Sequence, residues 1–198
     1  MNFLVLSNKL SKPPFCQRGW LAILLLISFW SSHSRAQALL QESAKEYQIK
    51  AVYLYNFSFF TTWQKGELDK HPSAPFWYCV LGENPFDQQL DLAVQNEKVA
   101  THPIQVKYLT QVEDSTECHI IFISKSEHSK LSSILGYLNK YPILTVSDIP
   151  DFLEQGGMVR FYTNSRRQVR MAIDLEPLRT AGLVVSAKLL RISDVVKH

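Results

Sequence analysis

Apolar residues recur at helical spacing from about Gln41 to Phe60. Ile49, Val52, Tyr53, Asn56, Phe57 and Phe60 share one face of the predicted helix, and Ala51, Leu54, Tyr55 and Phe59 form a second. A helix apolar on two sides is either deeply buried or lends one side to a partner, and burial is the commoner outcome. A turn-rich connection from Asp69 to Pro75 follows, then a continuous apolar strand, Phe76 to Gly82. The pattern next predicts a helix over Phe86 to Gln95 and a half-buried strand over Pro103 to Leu109, alternating Ile104, Val106 and Tyr108 against Gln105 and Lys107. Cys118 to Ser124 reads as a second buried strand. Ser129 to Asn139 reads as a helix, with Leu131, Ile134, Leu135 and Leu138 on one stripe. Ile143 to Val146 is a further strand, and Ile149 to Gln155 a short helix closed by Gly156-Gly157.

The period then changes. Met158 to Tyr162 and Gln168 to Ile173 both alternate around Asn164-Ser165-Arg166, which predicts an antiparallel hairpin. A helix from Leu175 to Ala181 stops at Gly182, and Leu183 to Ile192 reads as strand passing into helix. Strand-helix alternation followed by a hairpin implies an α/β fold: a mixed, mostly parallel sheet with a C-terminal antiparallel hairpin and helices on both faces.

The N-terminus follows a different logic. Lys9, Lys12 and Arg18 precede an apolar run from Leu21 to Trp30, and Ser34-Arg35-Ala36 and Ala36-Gln37-Ala38 both offer a small-x-small cleavage site. This is the order of a secretory signal, and the run is shorter than the roughly 20 residues a membrane span needs. The expected division is residues 1–36 as a leader and residues 37–198 as one domain. The leader carries four cations (Lys9, Lys12, Arg18, Arg35) and no anion. The 21 Lys+Arg and 18 Asp+Glu of the whole chain therefore become 17 against 18, a formal −1, in the exported part. The basic balance of the full chain then belongs to the leader, and a nucleic-acid partner loses its main support.

Cys79 and Cys118 are the two cysteines beyond the leader. In an oxidising compartment such a pair reads as a disulfide, with two buried thiols as the other reading. The chain holds no glycine-rich phosphate loop, nucleophile elbow or Ser-x-x-Lys. His71, His102, His119, His128 and His198 are scattered, none at metal-ligand spacing with another His or Cys, so no catalytic residue, metal or cofactor is expected. Asp148, Asp151 and Glu154 read as the solvated first turn of a helix capped by Asp148. Arg160, Arg166, Arg167 and Arg170 gather around the hairpin, Arg160 and Arg170 on its less apolar face; they read as a solvated sheet face, with binding of an anion or an acidic partner as the other reading. Trp63, Trp77 and Tyr78 are candidates for the lining of a small-ligand pocket at the strand ends.

Several segments resemble one family in order and spacing. Lys50-Ala51-Val52-Tyr53-Leu54-Tyr55-Asn56-Phe57 through Trp63 resembles the opening helix of the YfiR-like periplasmic proteins. Cys79-Val80-Leu81-Gly82-Glu83-Asn84-Pro85-Phe86 is similar to their first strand and turn, and Cys118 through Glu127 to their next core strand. Gly156-Gly157-Met158 with Phe161, then Ala181-Gly182-Leu183, Ser186 and Leu189-Leu190, resemble their C-terminal half. The resemblance implies a periplasmic α/β domain, often a homodimer, that represses an inner-membrane diguanylate cyclase by binding its periplasmic part. It also implies an outer-membrane lipoprotein able to sequester the repressor. It supports the Cys79–Cys118 bridge, whereas the family's second bridge has no possible partners here. On this reading the contact surface is the C-terminal segment, with Arg179, Leu183, Val185 and Leu189 as candidates, although core packing is the commoner outcome for any single one of the apolar residues. The alternatives are a periplasmic small-ligand sensor acting on a membrane kinase or cyclase and, more remotely, a hydrolase.

Overall fold

The computed structural model describes residues 41–63 and 74–196, with Gln37. The chain divides into two compact units, Met1–Glu42 and Ser43–His198. The expected leader and most of the turn-rich connection lie outside the described residues; the architecture below is that of the second unit.

The first helix, α1, runs over residues 41–60 as its periodicity predicts. Its faces differ from the expected ones. The buried stripe is Lys50, Ala51, Leu54, Phe57 and Ser58, while Ile49, Val52 and Phe59 stand exposed. Here the stripe is completed by Lys50, whose partner Asp148 lies beyond β6, and by Ser58, whose Oγ donates to the Tyr55 carbonyl of the same helix.

The remaining elements are β1 (Thr61–Thr62), β2 (Phe76–Leu81), α2 (Gln89–Val94), β3 (Lys98–Val99), β4 (His102–Leu109) and β5 (Ile120–Ile123). After them come α3 (Leu131–Leu138), β6 (Leu144–Ser147), β7 (Val159–Thr163), β8 (Val169–Asp174), α4 (Leu175–Thr180), β9 (Val184–Val185), α5 (Ala187–Arg191) and β10 (Asp194–Val196). Eight strands form one sheet in the order β10-β8-β7-β6-β5-β2-β4-β3, and β1 pairs with β9 apart from it. Strands β4, β2, β5, β6 and β7 are mutually parallel. Strands β7 and β8 form the antiparallel hairpin, in register from Val159↔Ile173 to Thr163↔Val169. Its turn is held by Asn164 Oδ1, which accepts the backbone N–H groups of Arg166 and Gln168 at 3.0 Å each. The fold is thus α/β with a mixed, mostly parallel sheet, as the pattern implies. The parallel strands follow the doubly wound order in which the first lies between the second and third, so the winding reverses between β2 and β5.

Strand alternation sorts the core into two layers. Phe76, Tyr78 and Val80 of β2, with Ile120 and Phe122 of β5, face α1 and α2. Cys79 and Leu81, with Ile121 and Ile123, face α3. Each fully buried Leu or Phe, such as Leu54 and Phe57, contributes about 1.5–3 kcal/mol, so α1 is fastened by its inward stripe rather than by helix propensity.

The segment after β6 is not the short helix expected over Ile149 to Gln155 but a succession of turns. Pro150 removes a backbone donor and restricts the residue before it. Ile149, Phe152 and Leu153 all reach the core from here. Gly157 closes the segment: a Cβ there would lie inside van der Waals contact of the Phe152 ring. Gly157→Ala should therefore destabilise the domain by about 1–3 kcal/mol through overpacking. Gly136→Ala, with open space around the added Cβ in α3, should stabilise it by about 0.5–1 kcal/mol. Urea unfolding of the two variants checks the contrast, and equal effects would remove the Phe152 argument.

Candidate functional site

Helix α1 runs against the direction of the parallel strands. Its first turns lie over their carboxyl ends and Trp63, just past it, over their amino ends. Each end carries a polar feature.

At the carboxyl ends, Lys50 is 1% exposed and Asp148 side chain 3%. Lys50 Nζ donates to Asp148 Oδ2 at 2.6 Å and also pairs with Glu46 one turn earlier. Tyr47 Oη donates to the same Asp148 oxygen at 2.8 Å, and Lys125, following β5, lies 3.4 Å from it. Burial alone pushes the Asp148 carboxyl up. The Lys50 ammonium, with hydrogen bonds from Lys50 and Tyr47, outweighs burial and holds it below the usual carboxylate range. Burial, then the Asp148 charge, push the Tyr47 phenol up, so it serves as a donor. Asp148 is therefore neither solvated nor a helix cap, as expected of it; the local cap is Ser147, whose Oγ accepts from Ile149 N–H at 3.1 Å. Asp151 instead pairs with His128 at 2.9 Å, and Glu154 is exposed. Of the four hairpin arginines, Arg160 joins this end. Its register opposite Ser147 sets it beside the last residue of β6, and its guanidinium donates to the Pro150 carbonyl. Arg166, Arg167 and Arg170 are exposed. Lys50 is the member that sequence reasoning missed. A signal was present: it lies on the same helical stripe as Leu54 and Phe57.

At the amino ends, a cleft of about 330 Å³ is lined by Trp63, Trp77, His102, Glu117, Cys118 and His119, among others. Trp63 Nε1 donates to the Pro142 carbonyl at 3.0 Å, and Trp77 N–H donates to His119 Nδ1 at 3.1 Å. The His119 ring stacks on Phe76 at 4.4 Å. Lys107 sits 4.0 Å from the Trp77 ring centre and pairs with Glu117; that hydrogen bond and charge hold the exposed Glu117 carboxyl low. The two tryptophans named from sequence thus meet, but Tyr78 does not join them. It is fully buried on the α1 face and donates to the Tyr55 carbonyl at 2.9 Å. Burial pushes its phenol up. Alternation along β2 sends neighbours to opposite faces, which separates Tyr78 from Trp77.

Cys79 and Cys118 are joined in a disulfide, Cα–Cα 6.0 Å, closing 39 residues of separation. It lies in the α3 layer, because Cys79 pairs in register with Ile121 and Cys118 leads into β5. Among the expected contact residues, Arg179 is exposed. Leu183, Val185 and Leu189 are at most 9% exposed and belong to the core packed on α1. For these three the core reading is the one the structure takes; the exposed neighbour is Val184, at 65%. Among the described residues, no group of three or more His, Cys, Asp or Glu is placed to hold a metal ion, and no helix is long and apolar enough to cross a membrane.

A doubly wound α/β domain with one disulfide and a buried ion pair at its carboxyl ends is the class this architecture defines. The chain belongs to the YfiR/HmsC-like family, which matches it over residues 47–194. Among solved structures, a conserved domain protein from Vibrio cholerae O1 biovar El Tor strain N16961 is similar at a TM-score of 0.48 and 11% identity. The match covers 61% of this chain and 54% of that one, so the chain spans about half that protein's length. No curated protein matches. The disulfide is consistent with an extracytoplasmic protein.

Proposed function

We propose that the protein is a periplasmic regulatory binding protein that represses an inner-membrane diguanylate cyclase by contact with the cyclase's periplasmic part. Family membership supports a regulator of this kind. The observation that carries the contact is on α1. Ile49, Val52 and Phe59 are exposed at spacings of three and seven residues, one stripe of the helix turned away from the core. Strand β9 hydrogen-bonds to β1 directly after that helix and adds the exposed Val184. Apolar residues grouped on a surface mark an interaction site more often than scattered ones do. A homodimer and an outer-membrane lipoprotein that sequesters the repressor belong to the same reading.

Val52→Glu with Phe59→Glu should leave the fold intact, since neither side chain enters the core. The pair should weaken binding to the cyclase's periplasmic domain by about tenfold or more, an interaction of at least about 1.4 kcal/mol. Cellular cyclic-di-GMP should rise as in a deletion strain. Unchanged binding would remove α1 as the contact. A deletion that leaves cyclic-di-GMP unchanged while the cyclase is expressed would remove the whole reading. The tryptophan-lined cleft favours one second reading, a small-ligand sensor, which native mass spectrometry of protein taken from periplasm tests directly.

A further inference from the structure

Glu46, Lys50, Lys125, Asp148, Pro150 and Arg160 contribute to the lining of a cavity of about 380 Å³. Two atoms on these residues are buried without a hydrogen-bond partner, and they are of opposite kinds. Asp148 Oδ1 is an acceptor lacking a donor, and Arg160 Nε is a donor lacking an acceptor. A buried polar atom left unmatched costs roughly 1–3 kcal/mol, and more when it is charged. The other Asp148 oxygen is already saturated by Lys50, Tyr47 and Lys125, so none of these relieves Oδ1. The cavity lining carries three cations, Lys50, Lys125 and Arg160, against two anions, Glu46 and Asp148. A guest should therefore be anionic and yet carry a donor for a carboxylate.

We propose that this cavity is an oxyanion site selective for an anion that retains an O–H group, with inorganic phosphate as its simplest occupant. The O–H donates to Asp148 Oδ1, and the remaining oxygens accept from Arg160 Nε and the Lys125 ammonium. A fully deprotonated oxyanion meets the same cations but sets an oxygen against the Asp148 oxygen, a repulsive contact in a partly desolvated site. The position agrees with the fold: doubly wound sheets bind ligands beyond the carboxyl ends of their strands. Here the β6–β7 register places Arg160 and Asp148 together one strand along from the β2–β5 reversal. The inference stands apart from the regulatory reading, since it concerns the purified protein alone.

Three dianions of equal charge separate the possibilities at about pH 8. Inorganic phosphate carries one O–H. Sulfate carries none, and neither does methyl phosphate, because a phosphate monoester loses its second proton near pH 6. Titration calorimetry of the exported chain at fixed ionic strength should show phosphate binding at least about tenfold more tightly than either of the others. Arg160→Gln and, separately, Lys125→Gln should each weaken phosphate by several-fold or more. Both are readable on folded protein, because neither residue belongs to the core. Equal affinity for the three dianions, no detectable heat with phosphate, or binding indifferent to Arg160→Gln would each overturn the proposal and leave ordered water as the occupant. Loss of cyclase binding in the α1 variants has no bearing on this result.

Discussion

Lys50→Met should destabilise the domain by about 3–5 kcal/mol, the cost of leaving a buried carboxylate without its counter-charge. The Asp148 side chain is 3% exposed, so bulk water solvates it poorly in place of the ammonium. Tyr47 can still donate to it, and Lys125 at 3.4 Å is too exposed and too distant to replace the lost ammonium. Against a total stability of about 5–15 kcal/mol for a domain of this size, that loss approaches unfolding at physiological temperature. The double variant Lys50→Met with Asp148→Leu should recover most of it, because replacing both charges removes the desolvation penalty along with the attraction. Urea unfolding of the wild type, both single variants and the double variant gives the coupling. A Lys50→Met cost under about 1 kcal/mol would mean that the pair is solvated in solution.

The same pair sets an acid limit. The folded-state pKa of Asp148 is lowered relative to its unfolded value. Its contribution is therefore complete above the unfolded value, about 3.9. It is lost as pH falls through the folded one, where the native carboxylate takes up its proton. Stability should hold between neutral pH and about pH 5 on this account and fall steeply below about pH 4. Asp148→Asn should flatten that acid branch while lowering the plateau.

Cys79→Ala with Cys118→Ala should cost about 4 kcal/mol. The bridge closes 39 residues of separation, and in the chain-entropy picture a loop of that length removes about that much freedom from the unfolded ensemble. Alanine is the informative replacement, since Cys79 is fully buried and Cys118 nearly so; serine would add an unmatched hydroxyl. Burial also makes the bond slow to reduce in the native state. Reductant should shift the unfolding midpoint of the wild type to that of the double-alanine variant, and leave the variant unmoved. A midpoint in the variant within about 1 kcal/mol of wild type would show that the cross-link does not limit the unfolded chain.

Much of this architecture was legible because burial and period coincide. Strand β5 is four consecutive buried apolar residues, Ile120–Ile123, and no helix of that length would stop there. The hairpin was visible because both of its strands alternate around an Asn-Ser-Arg turn. Helix α4 ends where Gly182 adopts a positive φ of 69°, as its position in the pattern implied. Sequence reasoning failed where a residue's environment is made by distant chain. Residues 149–155 have helical periodicity and bury Ile149, Phe152 and Leu153, yet form successive turns after Pro150, which supplies no backbone donor. Leu183, Val185 and Leu189 are open to both a surface and a core reading in the sequence, because nothing local announces that β9 docks onto β1 and that α5 follows it inward.

The sequence by itself determined the α/β class, the order of the core strands and helices, the hairpin, the availability of Cys79 and Cys118 for one bridge, and the absence of a known catalytic motif. These depend on composition and on contacts between near neighbours in the chain, which local spacing records. Only the tertiary structure decided which stripe of α1 faces inward, that Lys50 and Asp148 meet across 98 residues, and that Trp63 and Trp77 share a cleft without Tyr78. It also decided that Asp148 and Arg160 line one cavity. Such pairings follow from strand order and register. A charge buried at 1% exposure is stable only when a partner has been carried to it from elsewhere in the fold.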